Sequence, residues 1–245
     1  MRPLLFRERV AIFVDGWNLS VAMRNGFNKK VDYRALLETL RGDRPLLRAY
    51  IYLGSWTDET LRLLLHREQA ATTNREHGST EENGGTLSAS DEAFLQQRRD
   101  NERRFRRMLS RSGFRVVEKP IKVFADGNMK ADLDLELAID MLTLADYCDS
   151  MILVSGDSDF VPVIDAVGKR GVHVTVVSTL ATEAWNSTPE RYIRFPARAS
   201  DALVDAADDF IDLRDILDRI EYHPDRNGDR VHGPAPEDPH PVTST

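Results

Sequence analysis

The sequence predicts a three-layer α/β/α sandwich around a mainly parallel sheet, and three observations predict it. The runs VAIFV at residues 10–14 and MILV at 151–154 are apolar without alternation, as strands buried on both faces require. Helical patterns separate such runs, so strand and helix alternate along the chain. Both runs stop abruptly at a turn that carries acid, Asp15-Gly16 in one case and Ser155-Gly156-Asp157 in the other. Strands of a parallel sheet deliver binding residues at their carboxyl ends in this way.

In chain order, residues 10–14 read as a central strand, and a helix from Asn18 to about Asn25 is stopped by Gly26. Leu36, Leu37 and Leu40 share one face of a second helix over 33–40, and RAYIYL at 48–53 alternates as a strand. Residues 72–90 are polar, rich in Gly and Ser, and nearly free of apolar anchors; they read as a mobile insertion. A basic helix follows over 92–111, ended by Gly113, then a strand at 114–118 and a short extended piece at 121–124. Leu133, Leu137, Met141 and Leu144 give a helix over 132–147 its apolar face. After the strand at 151–154 come a helix over 160–169, a strand at 172–177 and an edge strand at 192–195. The pattern gives an α/β domain over 1–200, an acidic C-terminal helix within 201–222, and a disordered tail over 223–245.

No apolar run reaches the roughly 20 residues that span a bilayer, and Arg7, Glu8 and Arg9 break the N-terminal apolar stretch, so no signal peptide is expected. Cys148 is the single cysteine, which excludes an intrachain disulfide and a Cys-rich zinc site; a cytoplasmic location is the expectation. The net charge of −7 argues against a general polyanion binder. Its distribution says more: residues 98–130 carry eleven Lys or Arg against four acids, and 200–245 carry four Arg against twelve acids. Arg99, Arg103, Arg107 and Arg111 repeat every four residues and would form one stripe, a candidate track for phosphates or else an ordinary solvated face.

Three acidic groups sit at element ends: Asp15; Asp132 with Asp134; Asp157 with Asp159. Crowded carboxylates repel one another unless a cation neutralises them, and hard oxygen donors suit Mg²⁺ or Mn²⁺. A cation so held generates hydroxide and stabilises a phosphoryl transition state, so metal-assisted phosphodiester hydrolysis is the chemistry implied. Each acid also has a plainer reading: Asp15 as a turn former, Asp132, Asp157 or Asp159 as a helix cap. Ser155 and Ser158 read as packing or capping residues that are also able to hydrogen-bond a carboxylate or a phosphate. His173, in an apolar strand, reads as a core or edge residue, and Cys148 as a small buried side chain.

VDGWN at 14–18, KADLDLELAIDML at 130–142 and LVSGDSDFVPVIDAVGKRGVHVTVVS at 153–178 together resemble the NYN-domain family, a branch of the PIN-like nucleases. The resemblance covers about residues 8–195, with 72–90 inserted. It implies a PIN-like sandwich and a metal-dependent ribonuclease acting on single-stranded or structured RNA. It also implies that Asp15, Asp134, Asp157 and Asp159 form the acidic set, with Asp15, Asp134 and Asp157 holding the ion. Asn18 would steady Asp15, and Asp132, Lys130 and Ser155 are accessory candidates. Ala131 stands where the family commonly has Gly after the lysine, and Trp17 where smaller residues are frequent; Trp17 would narrow the site or stack on a base.

Two other functions fit parts of the sequence. Gly156-Asp157-Ser158 followed by Asp165 resembles the metal motif of haloacid-dehalogenase-like phosphatases, but those need a second aspartate two residues after the first, where this chain has Trp17. A non-catalytic RNA-binding scaffold would keep the same acids. DNA in place of RNA and the oligomeric state, a homodimer included, are left open by the sequence.

Overall fold

The computed structural model describes residues 8–63, 65, 88–123, 129–180 and 198–223. Most of the expected insertion, the strand at 192–195 and the tail beyond 223 lie outside them.

Six parallel strands form one sheet: β1 (Val10–Asp15), β2 (Leu46–Ser55), β3 (Arg115–Pro120), β6 (Ser150–Val154), β7 (His173–Ser178) and β8 (Asp209–Asp212). Two short strands, β4 (Lys122–Val123) and β5 (Met129–Lys130), pair as a separate antiparallel ribbon. The sheet order is β3-β2-β1-β6-β7-β8, so the chain winds outward from β1 in one direction, returns beside β1, and winds outward in the other. The reversal lies between β1 and β6. In an open parallel sheet that reversal leaves a crevice outside the strand ends, the usual place for a ligand.

The unbroken apolar strands are explained by helices on both faces. Val10, Ile12 and Val14 enter one core, with α1 (Gly16–Val21), α2 (Tyr33–Arg41), α3 (Ala89–Arg111) and α7 (Leu213–Ile220). Ala11 and Phe13 enter the other, with α4 (Asp134–Leu144), α5 (Val161–Gly168) and α6 (Asp201–Ala206). All five strand residues are fully buried. The architecture is therefore the three-layer α/β/α sandwich that the sequence predicts.

The C-terminal region departs from expectation. In place of one acidic helix, the chain forms α6, then β8, then α7. Pairing with β7 supplies backbone hydrogen bonds that a free helix would make internally, and Phe210 and Ile211 then fall on opposite faces. A helical pattern of apolar residues misleads here because the strand contributes only four residues to it. Residues 201–220 thus belong to the same domain as the rest of the sheet.

Asp212 fixes this corner. Its carboxylate accepts the Leu180 N–H at 3.1 Å, and the Arg214 backbone N–H, Nε and a terminal nitrogen at 2.9, 3.0 and 2.7 Å. Burial pushes the carboxyl up, but the Arg214 and Leu180 hydrogen bonds outweigh it and hold it below the usual carboxylate range. A depressed folded-state pKa contributes stability above the unfolded value, near pH 4, and that contribution disappears as the pH falls through the folded value. Asp212→Ala is expected to cost about 1–3 kcal/mol in urea melts at pH 7, with the gap from wild type closing toward pH 3.

Two side chains have simpler roles. Cys148 is buried, donates to the Leu144 carbonyl at 3.3 Å, and has its thiol pushed up to about 11 by burial. His173, expected in the core or at an edge, instead stands exposed at the start of β7 and pairs with Asp209 at 2.8 Å. Strand-end position, where the side chain passes the rim of the sheet, accounts for this.

Candidate functional site

The site is built at the carboxyl ends of β1 and β6. Val14 pairs with Val154, so Asp15 and Ser155 are the next residues along the chain from each. Ser155 is 2% exposed. Its hydroxyl donates to Asp15 Oδ2 at 3.1 Å and accepts the Asp157 N–H at 3.2 Å. One buried hydroxyl therefore holds the two strand ends and their acids in fixed relation. Sequence reasoning favours packing or capping for Ser155 over the hydrogen bond to a carboxylate that it makes here.

Asn18 makes a second link. Its amide donates to Asp15 Oδ2 at 3.1 Å, and its carbonyl oxygen accepts the Gly156 N–H at 3.3 Å. Asp15 Oδ1 also accepts the Asn18 backbone N–H at 3.1 Å, which makes Asp15 the N-cap of α1. Burial pushes the Asp15 carboxyl above the ordinary range; hydrogen bonds from Asn18 and Ser155 oppose this, and the nearby Asp157 charge adds to it. A cation beside Asp157 would reverse that last effect.

Asp157 caps the short turn Ser158–Phe160, accepting the Asp159 N–H at 3.0 Å. Phe160, 1% exposed, anchors the turn in the core. Asp134 opens α4, where the helix dipole favours a carboxylate. The turn and the helix bring one oxygen each from Asp134, Asp157 and Asp159 within 4.8 Å of one another. Opposite ligands of an octahedral Mg²⁺ lie about 4.2 Å apart and adjacent ones about 3 Å, so these three would share an ion through side-chain closure of up to about 2 Å or through bridging water. Hard, partly exposed oxygens fit Mg²⁺ or Mn²⁺ in charge and in type.

The sequence places Asp15, Asp134 and Asp157 on the ion, with Asp159 nearby. In the structure Asp159 is in the three-oxygen group and Asp15 stands beside it, joined through Ser155. Asp157 also acts as the cap that its plainer reading foresees, while Asp15, whose plainer reading is a turn former, caps α1. Asp132 is exposed and is not the cap of α4: Leu133 occupies that position, and the Asp132 carbonyl accepts Lys119 Nζ at 2.7 Å. Lys130 pairs with Lys122 through the backbone, and its side chain lies outside the described residues.

Sequence reasoning misses Lys119. It stands near the end of β3, donating to the Asp132 carbonyl and bridging to Glu136 Oε1 at 2.7 Å; its hydrogen bond holds the Glu136 carboxyl below the ordinary range. The strand-end rule that finds Asp15 would find it too. Asp140 accepts the Tyr52 hydroxyl at 2.8 Å; burial, then the Asp140 hydrogen bond and charge, push that phenol far up.

The arginine stripe runs along α3 from the carboxyl edge of the sheet toward its opposite edge. Glu102 of α3 accepts the Trp56 N–H just past the end of β2, whereas Arg111 leads into β3 from its opposite end. Nine residues of helix, about 13 Å, separate these levels. Arg99 bonds Asp58 at 2.6 Å, Arg103 meets Asp100 at 3.4 Å, and Arg107 donates to the Arg103 carbonyl. Arg99 and Arg103 flank Glu102 near the carboxyl edge, whereas Arg107 and Arg111 lie toward the opposite end.

Ser155→Ala keeps the strand but removes both hydroxyl bonds. Loss of an outer partner typically lowers metal affinity or activity about 10–100-fold. A similar fall in Mn²⁺ affinity is expected by calorimetry, with the melting temperature changed by only a few degrees.

The sequence matches the NYN domain family over residues 9–84 and 78–217. It is 39% identical over 102 residues to the Low amplitude and bright protein LabA of Synechococcus elongatus, covering 38% of this chain and 54% of that protein. The chain thus spans about half the length of that curated relative. A crystal structure of a Vibrio parahaemolyticus protein of unknown function superposes with a TM-score of 0.57 at 22% identity, covering 88% of this chain and 97% of that one.

Proposed function

Because the chain belongs to the NYN domain family, within the PIN-like nucleases, we propose that it is a divalent-metal-dependent ribonuclease that hydrolyses RNA phosphodiester bonds. The observation that carries this reading is the meeting of the Asp134, Asp157 and Asp159 oxygens at the sheet's reversal point. Asp134, Asp157 and Asp159 would hold Mg²⁺ or Mn²⁺, with Asp15 as a further ligand or as acceptor for a bound water. The ion would supply an activated water and charge stabilisation at the phosphate.

The chain's own residues do the positioning. Ser155 and Asn18 hold Asp15 in one rotamer, so no reorganisation is needed when substrate arrives. The Asp157 cap fixes the turn that presents Asp159. Lys119 tethers the approach to α4 and thereby the start of the helix that carries Asp134. Among the described residues no helix is long and apolar enough to cross a membrane. The site of action in this proposal is the cytoplasm, where a buried, reduced thiol such as Cys148 is at home.

The test is cleavage of a labelled single-stranded RNA with Mg²⁺, with Mn²⁺, and with chelator. Cleavage should require the metal, stop with chelator, and return when Mn²⁺ is added in excess. A matching DNA strand should be cut more slowly. Chelator-resistant cleavage, or RNA binding with no cleavage under any metal, would overturn the proposal; the second result would favour a binding scaffold.

A further inference from the structure

We propose that Trp17 is a stacking platform for an unpaired nucleobase next to the scissile phosphate, and that it sets the preference of this site for unpaired strands. The inference rests on the nuclease reading of the acidic site. Trp17 is the second residue of α1, between Asp15 and Asn18, whose side chains bond each other. Two residues of chain span at most about 7 Å, so the Trp17 backbone stands within that reach of Asp15. Trp17 is 46% exposed. Gly16 cannot shift to bury it, because the start of α1 is already pressed against Tyr52 and Leu53 of β2.

Charge explains why such a platform is needed. Phosphate contacts supply most of the affinity of a basic nucleic-acid binder. Here the protein is acidic, with a net charge of −7, and the rim of the site is made of aspartates. Of the arginine stripe on α3, the two members near the carboxyl edge are already paired, Arg99 with Asp58 and Arg103 with Asp100. Attraction through a neutral base face avoids the repulsion between phosphates and carboxylates. Stacking on an aromatic ring is independent of sequence because every base has such a face, and a base paired within a duplex does not present it.

Binding is measured by fluorescence anisotropy in the cleavage-impaired Asp157→Asn chain, with a labelled ten-residue oligouridylate, its abasic counterpart and a ten-pair RNA duplex. Trp17→Ala should weaken oligouridylate binding about tenfold, Trp17→Phe about threefold or less, and binding of the abasic strand and duplex should hardly change. In the otherwise native chain Trp17→Ala should raise KM for unpaired RNA by a similar factor, with kcat altered less than twofold. Oligouridylate binding that is unchanged by Trp17→Ala, or an equal loss on the abasic strand, would overturn the platform. If the base-dependent loss appears but the native chain never cleaves RNA, the platform stands as a binding feature and the nuclease reading fails.

Discussion

Asp157→Asn is expected to lower metal-dependent RNA cleavage by more than about 100-fold, beyond the 10–100-fold typical of an outer partner. The substitution keeps size and shape, and the amide oxygen can still cap the turn at Ser158–Phe160. What it removes is one negative charge from the three-oxygen group. The fold should survive, with a thermal melt within a few degrees of wild type. Mn²⁺ should stabilise the wild type by RT ln(1 + [Mn²⁺]/Kd), about 2.7 kcal/mol at a hundredfold excess over Kd, and the variant far less. Asp134→Asn should behave alike, although Asp134 stands on a separate element. Unchanged cleavage in either folded variant would refute the proposed ion site.

Gly16→Ala should be the most damaging small substitution near the site. A Cβ there would collide with Leu53 Cδ2 and lie 2.6 Å from the Tyr52 carbonyl oxygen. The leucine can rotate, but the backbone carbonyl belongs to β2 and cannot yield without disturbing the sheet. Overpacking of this kind costs about 1–3 kcal/mol. It should also move α1 outward, pulling Asn18 from Asp15 and Gly156. A fall in urea midpoint together with a tenfold or greater loss of cleavage is the expected pair of results. Normal stability with normal cleavage would mean that the start of α1 is less tightly held than the structure shows.

Much of the fold is legible because its physics is local. The strands at β1 and β6 are apolar on both faces, and only a sheet covered on both sides accommodates such runs. β8 is not legible. Its four residues DFID carry two acids, and its apolar pair fits a helix as well as a strand. The deciding factor is the free edge of β7, which is invisible until the sheet is assembled. Lys119 is obscure for a related reason: its partners Asp132 and Glu136 are 13 and 17 residues distant and meet it only through the crossover to α4.

The candidate site divides in the same way. The sequence alone determined which acids terminate strands or open a helix, since turn chemistry and apolar run lengths mark those places. It also determined that they are too many, in too ordered a pattern, to be ignored. Only the tertiary structure decided which of them meet. The return of the chain beside β1 sets Asp15 next to Ser155 across 140 residues, and capping geometry turns Asp159 toward Asp157 and Asp134 while Asp132 remains in solvent. Proximity between distant segments depends on strand order and register, which follow from packing of the whole chain and from no single stretch of it.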